Sequence, residues 1–353
     1  VAAYLLKKQG YDVVGVFIRT WTPDFIDCTW QDERRDAMRV CAKLDIPFLE
    51  CDAEETYNKN VAEYMIEEYK KGRTPNPDVM CNREVKFGVF WDFAKKHGAD
   101  FIATGHYTQN IGLSLRKGRD NAKDQSYFLW MLNQKDLAHT LFPVGHLGKS
   151  EVRKLGKKFG LPTAEKKDSQ GVCFLGPLDI KEFLKHYIKS ERGDVLNEKN
   201  EVIGFHDGAV FLTLGERHGF TITKKTEHDE PYYVVGKDVN KNTITVFSNP
   251  HPSPSPLSGG GLGGGSNYFP KEKKLSGFAV GVINTNWISK DYQLSTKDYK
   301  CQIRYHGEQL DCQVEITGEK NAKIIFKNNV LVAPGQSIVV YDGDTCLGGG
   351  VVV

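Results

Sequence analysis

"VAAYLLKKQGYDVVGVFI", residues 1–18, is an amphipathic helix closed by Gly10 and followed at once by an apolar strand. A glycine just past the last helical residue is an ordinary C-terminal stop. The strand after it carries no polar alternation, which predicts burial on both faces, as in a parallel sheet covered by helices. An α/β domain normally opens with a strand, so a strand and its loop are expected ahead of Val1, and the chain reads as truncated. Outward from there, residues 11–106 alternate in the βα manner. A strand at 13–18 leads to a helix over 30–44, "WQDERRDAMRVCAKL", then a strand at 46–51, "IPFLEC", and a helix over 54–71. "DFIATGHY", residues 100–107, is a strand ending in Gly105 and His106. Parallel sheets bind ligands at the carboxyl ends of their strands, where this pair falls. The other reading is an ordinary glycine-containing strand exit.

At 353 residues the chain has room for two or three domains. With 47 Lys and Arg against 45 Asp and Glu the net charge is +2, so a polyanion site must be a local patch. Such a patch is offered by residues 149–167, where seven basic residues (Lys149, Arg153, Lys154, Lys157, Lys158, Lys166, Lys167) face two acids, Glu151 and Glu165. A solvated helix face and a phosphate-binding face both fit that run. The eight cysteines are scattered, with no CxxC and no zinc-finger spacing of Cys and His. No signal peptide is visible, and no apolar run nears the roughly 20 residues of a membrane helix. The expectation is a cytoplasmic protein without membrane attachment, in which a cysteine with a special setting is chemical rather than cross-linked.

Two cysteines have such settings. Cys81 sits in "TPNPDVMCNREVKFG", residues 74–88. Pro75 and Pro77 each fix φ and bias the preceding residue to be extended, which predicts a stiff loop. Asn82 is expected to cap a helix from Arg83 to about His97, placing Cys81 at a helix N-terminus, where free N–H groups favour thiolate. Alternatively Cys81 is a small buried thiol packing under a turn. Cys173 lies in "KKDSQGVCFLG", residues 166–176, and in isolation reads as a structural cysteine near a strand. Beyond about residue 190, short alternating strands with Gly, Asp and Asn turns predict small β domains or a barrel. The segment "SNPHPSPSPLSGGGLGGGSN", 248–267, cannot pack a core and is expected to be a linker. It lacks the lysine, following helix and βα setting of a phosphate loop.

"GRTPNPDVMCNREVKFG", "ATGHY", "KDQSYFLWML", "LFPVG", "KKDSQGVCFLG", "TLGERHG", "PYYVVGKDV", "RYHG", "APGQS" and "CLGGG" occur in this order along nearly the whole chain. Together they resemble the tRNA-specific 2-thiouridylases. The resemblance implies α/β plus β: a PP-loop ATP pyrophosphatase domain with a parallel sheet, a small central β domain and a C-terminal β-barrel. The corresponding expected boundaries are 1–188, 189–249, a linker at 250–270, and 271–353. The implied reaction adenylates the wobble uridine of a tRNA, using ATP with Mg²⁺, and then replaces oxygen by sulfur from a cysteine persulfide. By motif, Cys173 matches the persulfide carrier and Cys81 the nucleophile, the two ending as a disulfide. Asn76, Pro77 and Asp78 match the contact to the target base. Ile18 and Gly105 match ATP contacts. His106, Lys123, Asp124, Gln125, Arg304, Tyr305 and Gln336 match tRNA contacts. A persulfide sulfur-donor protein is the implied partner, and a monomer is expected. The family's loop Ser-Gly-Gly-Val-Asp-Ser would lie directly before Val1, so the chain as it stands is expected to be inactive. Two rivals are another PP-loop ATP pyrophosphatase, such as an amidotransferase-type synthetase, and a catalytically incomplete tRNA-binding protein.

Overall fold

The computed structural model describes residues 1–26, 30–166, 179–223, 230–248, 278–289 and 297–353. Cys173 and the expected linker at 250–270 lie outside these residues. The chain opens with α1 (Ala2–Lys8) and β1 (Gly15–Arg19), followed by α2 (Trp30–Leu44) and β2 (Phe48–Asp52). The helix expected over 54–71 is α3 (Glu54–Tyr57), a π-helical segment Asn58–Glu63, and α4 (Tyr64–Lys70). After α4 come α5 (Pro77–Met80), a second π segment Cys81–Val89, and α6 (Phe90–Lys96). Next are β3 (Ile102–Ala103), β4 (Thr108–Ile111), β5 (Ser114–Lys117), α7 (Gln134–Ala138), β6 (Thr140–Leu141), α8 (Lys149–Lys158) and α9 (Ile180–Lys185).

The parallel pairing expected from the buried strands is present in two pieces, β1 with β2 and β3 with β6. Tyr11 and Phe101, just ahead of β1 and β3, meet edge-on at 6.3 Å and set the two pieces side by side. Among the described residues no helix is long and apolar enough to cross a membrane.

Among the described residues after α9 the regular structure is β apart from a 3₁₀ turn at Ala209–Phe211. A five-stranded sheet is built from β7 (Gly193–Leu196), β8 (Val202–His206), β9 (Phe220–Ile222), β10 (Tyr232–Asp238) and β11 (Thr243–Ser248), around Val195, Ile203, Val234, Ile244 and Val246. The last six strands are β12 (Phe278–Trp287), β13 (Tyr299–Gln302), β14 (Leu310–Gly318), β15 (Asn321–Phe326), β16 (Ser337–Asp342) and β17 (Thr345–Val352). They pair in the order β12-β15-β14-β13-β16-β17, and β12 also pairs with β17, which closes a barrel and removes its edges.

The barrel does not stand apart. β5 pairs with β17 at Arg116 and Thr345, so the β4–β5 hairpin of the first domain extends the barrel sheet. One apolar cluster runs through both domains: Leu115, Tyr127, Leu129 and Trp130 pack with Ile288, Val339, Tyr341 and Cys346. Asn286 of β12 donates from Nδ2 to the carbonyls of Trp130 and Leu132, both at 2.8 Å. The helix that carries the site therefore rests on a core that the barrel helps to fill.

Candidate active site

Asn76, not Asn82, opens the helix that bears Cys81. Asn76 is extended (φ −110, ψ 92), and its Oδ1 accepts from Val79 N at 3.4 Å, while Pro77 occupies the first helical position. Proline there lacks a donor that would be orphaned anyway, so Asn-Pro is a cap followed by a start rather than a loop. This corrects the expectation of a stiff loop through residue 80. Cys81 is one turn inside the helix, and its own N–H bonds back to Pro77 O and Asp78 O. The first N–H groups of the helix are those of Asp78 and Val79, a turn ahead of the thiol, and that of Val79 is taken by Asn76. Asn82 is buried within the helix; its Nδ2 donates to Phe128 O at 3.1 Å.

Cys81 is 2% exposed and points into an apolar cluster with Tyr57, Val61, Met65, Ile66 and Val85. Ile18, on β1, packs against that same cluster, so the nucleotide contact implied by the resemblance and the thiol share one wall. The helix is π-wound from Cys81 to Val89, a geometry that recurs at functional sites.

Asp78, Asn82 and Lys86 follow at four-residue intervals and lie along one side of this helix. Burial raises the Asp78 carboxyl above its ordinary range, and the Lys86 ammonium opposes that shift. His106 is buried, with Nδ1 2.8 Å from Thr104 Oγ1 and its ring 5.9 Å from Phe87. Burial, and then the Lys86 charge, hold its imidazole well below the usual range, so it is neutral at pH 7. Lys86 thus lies close to the base-contact segment and to the Gly105–His106 turn alike. Sequence reasoning missed it, although the i, i+4, i+8 spacing from Asp78 was there to be read. A side chain added at Gly105 would meet nothing within 4 Å, so that backbone faces open space.

The segment before the helix is held by both β domains. Thr74 N donates to Pro334 O at 2.7 Å, and Gln336 Nε2 donates to Thr74 O at 3.1 Å. Thr74 Oγ1 lies 3.1 Å from Thr213 Oγ1 of the central domain. Gly335 approaches so closely that a Cβ there would sit 2.9 Å from Thr74 N, and its φ is +89. Both facts require glycine.

Lys123, Asp124 and Gln125 form the loop beside this junction. Asp124 accepts from Gly118 N at 2.9 Å and Ser126 N at 3.1 Å, and Gln125 Oε1 accepts from Tyr107 N at 3.0 Å. Two of the three residues expected to meet tRNA therefore shape the loop as well. Tyr305 stacks near Phe128 with ring centres 4.3 Å apart. Burial, then the carboxylates of Asp124 and Asp78, push its phenol up to about 12. His306 feels both Lys123 and Asp124. The triplet, Arg304–Tyr305 and the Asn76–Asp78 segment are thereby brought together. Gln336 joins them through Thr74. Among the basic residues at 149–166, Lys157 pairs with Glu165 at 3.0 Å and Lys166 with Asp36 at 2.9 Å, while Lys154, Lys157 and Lys158 are exposed.

The chain thus combines an α/β domain, with a buried cysteine on one helix, and two β domains. Residues 1–177 match the tRNA methyl transferase HUP domain, 181–248 the tRNA methyl transferase PRC-barrel domain, and 279–352 the aminomethyltransferase beta-barrel domain. The chain is 41% identical over 360 residues to the tRNA-specific 2-thiouridylase MnmA of Oceanobacillus iheyensis, covering 100% of this chain and 91% of that protein. It is 40% identical over 361 residues to the enzymes of the same name from Bacillus velezensis and Bacillus subtilis strain 168, with the same coverage. The chain belongs to the tRNA-specific 2-thiouridylase family.

Proposed function

We propose that this protein thiolates the wobble uridine of tRNA at position 2. The observation that supports the reading is the likeness, along the whole chain, to relatives that bear that name, with Asp78, Lys123, Asp124, Tyr305 and His306 near enough to act on one another's charges. In this reading the 2-carbonyl oxygen of the uridine attacks the α-phosphorus of ATP and pyrophosphate leaves. Adenylation turns a poor oxide leaving group into AMP. The terminal sulfur of a Cys173 persulfide then adds at C2 and AMP departs. The Cys81 thiolate attacks Cys173 Sγ and breaks its bond to the transferred sulfur, which stays on C2 as the 2-thio group, and the resulting Cys81–Cys173 disulfide is reduced by an external dithiol before the next turnover.

Asn76, Pro77 and Asp78 hold the extruded base against a rigid wall, as base-modifying enzymes require. Ile18 and Gly105 line the nucleotide. His106, Lys123, Asp124, Gln125, Arg304, Tyr305 and Gln336 face the tRNA, whose affinity rests on phosphate neutralisation. Among the described residues no group of three or more His, Cys, Asp or Glu is placed to hold a metal. Mg²⁺ would arrive on the nucleotide phosphates, whose charge it would neutralise. The domains divide the work as 1–188 for chemistry, with 189–249 and 271–353 for tRNA, joined by a linker at 250–270. A cytoplasmic monomer fed by a persulfide-carrying donor protein completes the reading.

The test is formation of 2-thiouridine. Protein, tRNA, ATP with Mg²⁺ and a persulfide donor are incubated, and the digested tRNA is analysed by mass spectrometry. Sulfur should appear at the wobble uridine with wild-type enzyme that carries the family's Ser-Gly-Gly-Val-Asp-Ser loop, and vanish when Cys81→Ser or Cys173→Ser is placed in it. A methyl group in place of sulfur, or full activity in both variants, contradicts the reading.

A further inference from the structure

We propose that the exposed face of α8 binds the phosphate backbone of the anticodon stem of the tRNA, a second contact beyond the residues that surround the target base. This deepens the thiolation reading and rests on it. Residues 149–166 carry six basic side chains and two acidic ones, a local charge of +4. The whole chain carries +2, so all its other residues together sum to −2. The positive charge is therefore concentrated on one helix and the turn after it, as a polyanion site requires and a generally basic surface does not.

Ser150, Lys154, Lys157 and Lys158 are exposed and recur at helical spacing along one face of α8. The other side is fixed. Gly156 is buried, and a Cβ there would stand 3.4 Å from Ala164 Cβ. The two acids do not cancel the exposed face. Glu151 turns back to accept from Gly148 N at 2.7 Å and from Arg119 at 3.4 Å, and Glu165 is taken by Lys157. Among the described residues no carboxylate pairs with Lys154 or Lys158.

The helix begins at the loop that faces tRNA. Asp120 Oδ2 accepts from Lys149 N at 2.9 Å, and Asp120 O accepts from Lys123 N at 2.9 Å. One aspartate thus ties the first turn of α8 to the Lys123–Gln125 triplet. The Lys149 ammonium lies 5.4 Å from the ring centre of Tyr107, the neighbour of His106. From Lys149 to Lys158 the helix runs about 14 Å. The three exposed lysines therefore stand away from the base-contact residues, on a surface continuous with them. A tRNA whose wobble base is extruded at that site carries its backbone onward into the anticodon stem. A paired stem offers phosphates rather than free bases, and ammonium groups on flexible stems suit phosphates.

Salt titration of tRNA binding tests this, with the wild type and Lys154→Gln/Lys157→Gln/Lys158→Gln compared. Ethylation interference maps the phosphates involved. The triple variant should lower the slope of log affinity against log salt by about two units, because Lys157 is shared with Glu165. Its excess in Kd over the wild type should accordingly shrink about tenfold between about 50 and 200 mM salt. Ethylation of anticodon-stem phosphates should weaken the wild type and leave the triple variant indifferent. An unchanged slope, or interference confined to the anticodon loop in both proteins, overturns the proposal. So does a variant that binds tRNA as the wild type does but takes sulfur poorly from its donor protein, which would give this face to that protein. Should the triple variant melt early, Lys154→Gln alone should lower the slope by about one unit, and an unaltered slope overturns the proposal. A wild type that binds no tRNA at all overturns the thiolation reading and this contact together.

Discussion

The two β domains are attached to the α/β domain in different ways. Among the described residues the central sheet pairs its strands with one another alone, and the contacts it makes include the Thr74–Thr213 hydroxyl pair, the ion pair of half-exposed Lys181 with buried Glu216, and Phe211 packed among the helices. The barrel takes the β4–β5 hairpin into its own sheet and shares an aromatic core with the first domain. Strand pairing and shared core are lost only by unfolding part of both domains. An ion pair and a few side chains are lost by simple separation. The difference teaches that the barrel belongs to the catalytic unit, whereas the central domain is a bound module.

The largest break in this comparison should come from Gly335→Val. Positive φ and overpacking against Thr74 together should cost about 3 kcal/mol, and thiolation should fall well beyond what the lost fraction of folded protein explains. Urea unfolding alongside turnover measures both. If activity follows stability alone, the barrel does not aim the site. The matching change at the other joint is Lys181→Met, which leaves the carboxylate of Glu216, 7% exposed, short of one partner. Because Lys181 keeps nearly a third of its side chain in solvent, the loss should be about 1–2 kcal/mol, with kcat unchanged. A collapse of kcat would make the central domain as catalytic as the barrel.

Much of this architecture was legible in the sequence. Unalternating apolar runs gave the parallel strands, although Gly15–Arg19 is half-buried throughout rather than buried on both faces, and the 30–44 helix occurs with those bounds. Alternating strands with tight turns marked both β domains. The membership of the β4–β5 hairpin in the barrel sheet was not visible, since it joins residues 116 and 345, far apart in sequence. The helix start was misplaced because Pro-Asn-Pro carries two signals. Proline rigidifies loops and also opens helices, and only the Asn76 cap decides between them. Cys81 could be singled out by its setting, and Cys173 only by its motif.

Subtler differences sharpen the comparison. Lys237 in the central domain is pulled by burial from 10.5 down to about 8, with Glu216 opposing. Between those values the unfolded chain binds the extra proton, so stability should rise from pH 8 to 10.5, with the penalty fully present below 8. Thermal melts of Lys237→Met across that window should lose the rise; an unchanged slope removes Lys237 as its source. The smallest effect is at the barrel's edge. Lys123→Ala should reduce the slope of log affinity for tRNA against log salt by about one unit, as expected for one phosphate contact. An unaltered slope takes Lys123 out of the interface.

The central claim is that Cys81 resolves a persulfide on Cys173 at this barrel-completed site. Peptide mapping under non-reducing conditions, after a single turnover with tRNA, ATP and a persulfurated enzyme but no reductant, tests it directly. The account predicts a Cys81–Cys173 linked peptide that accumulates in step with 2-thiouridine. Thiouridine formed while Cys81 stays reduced, or is linked to any other cysteine, would contradict it.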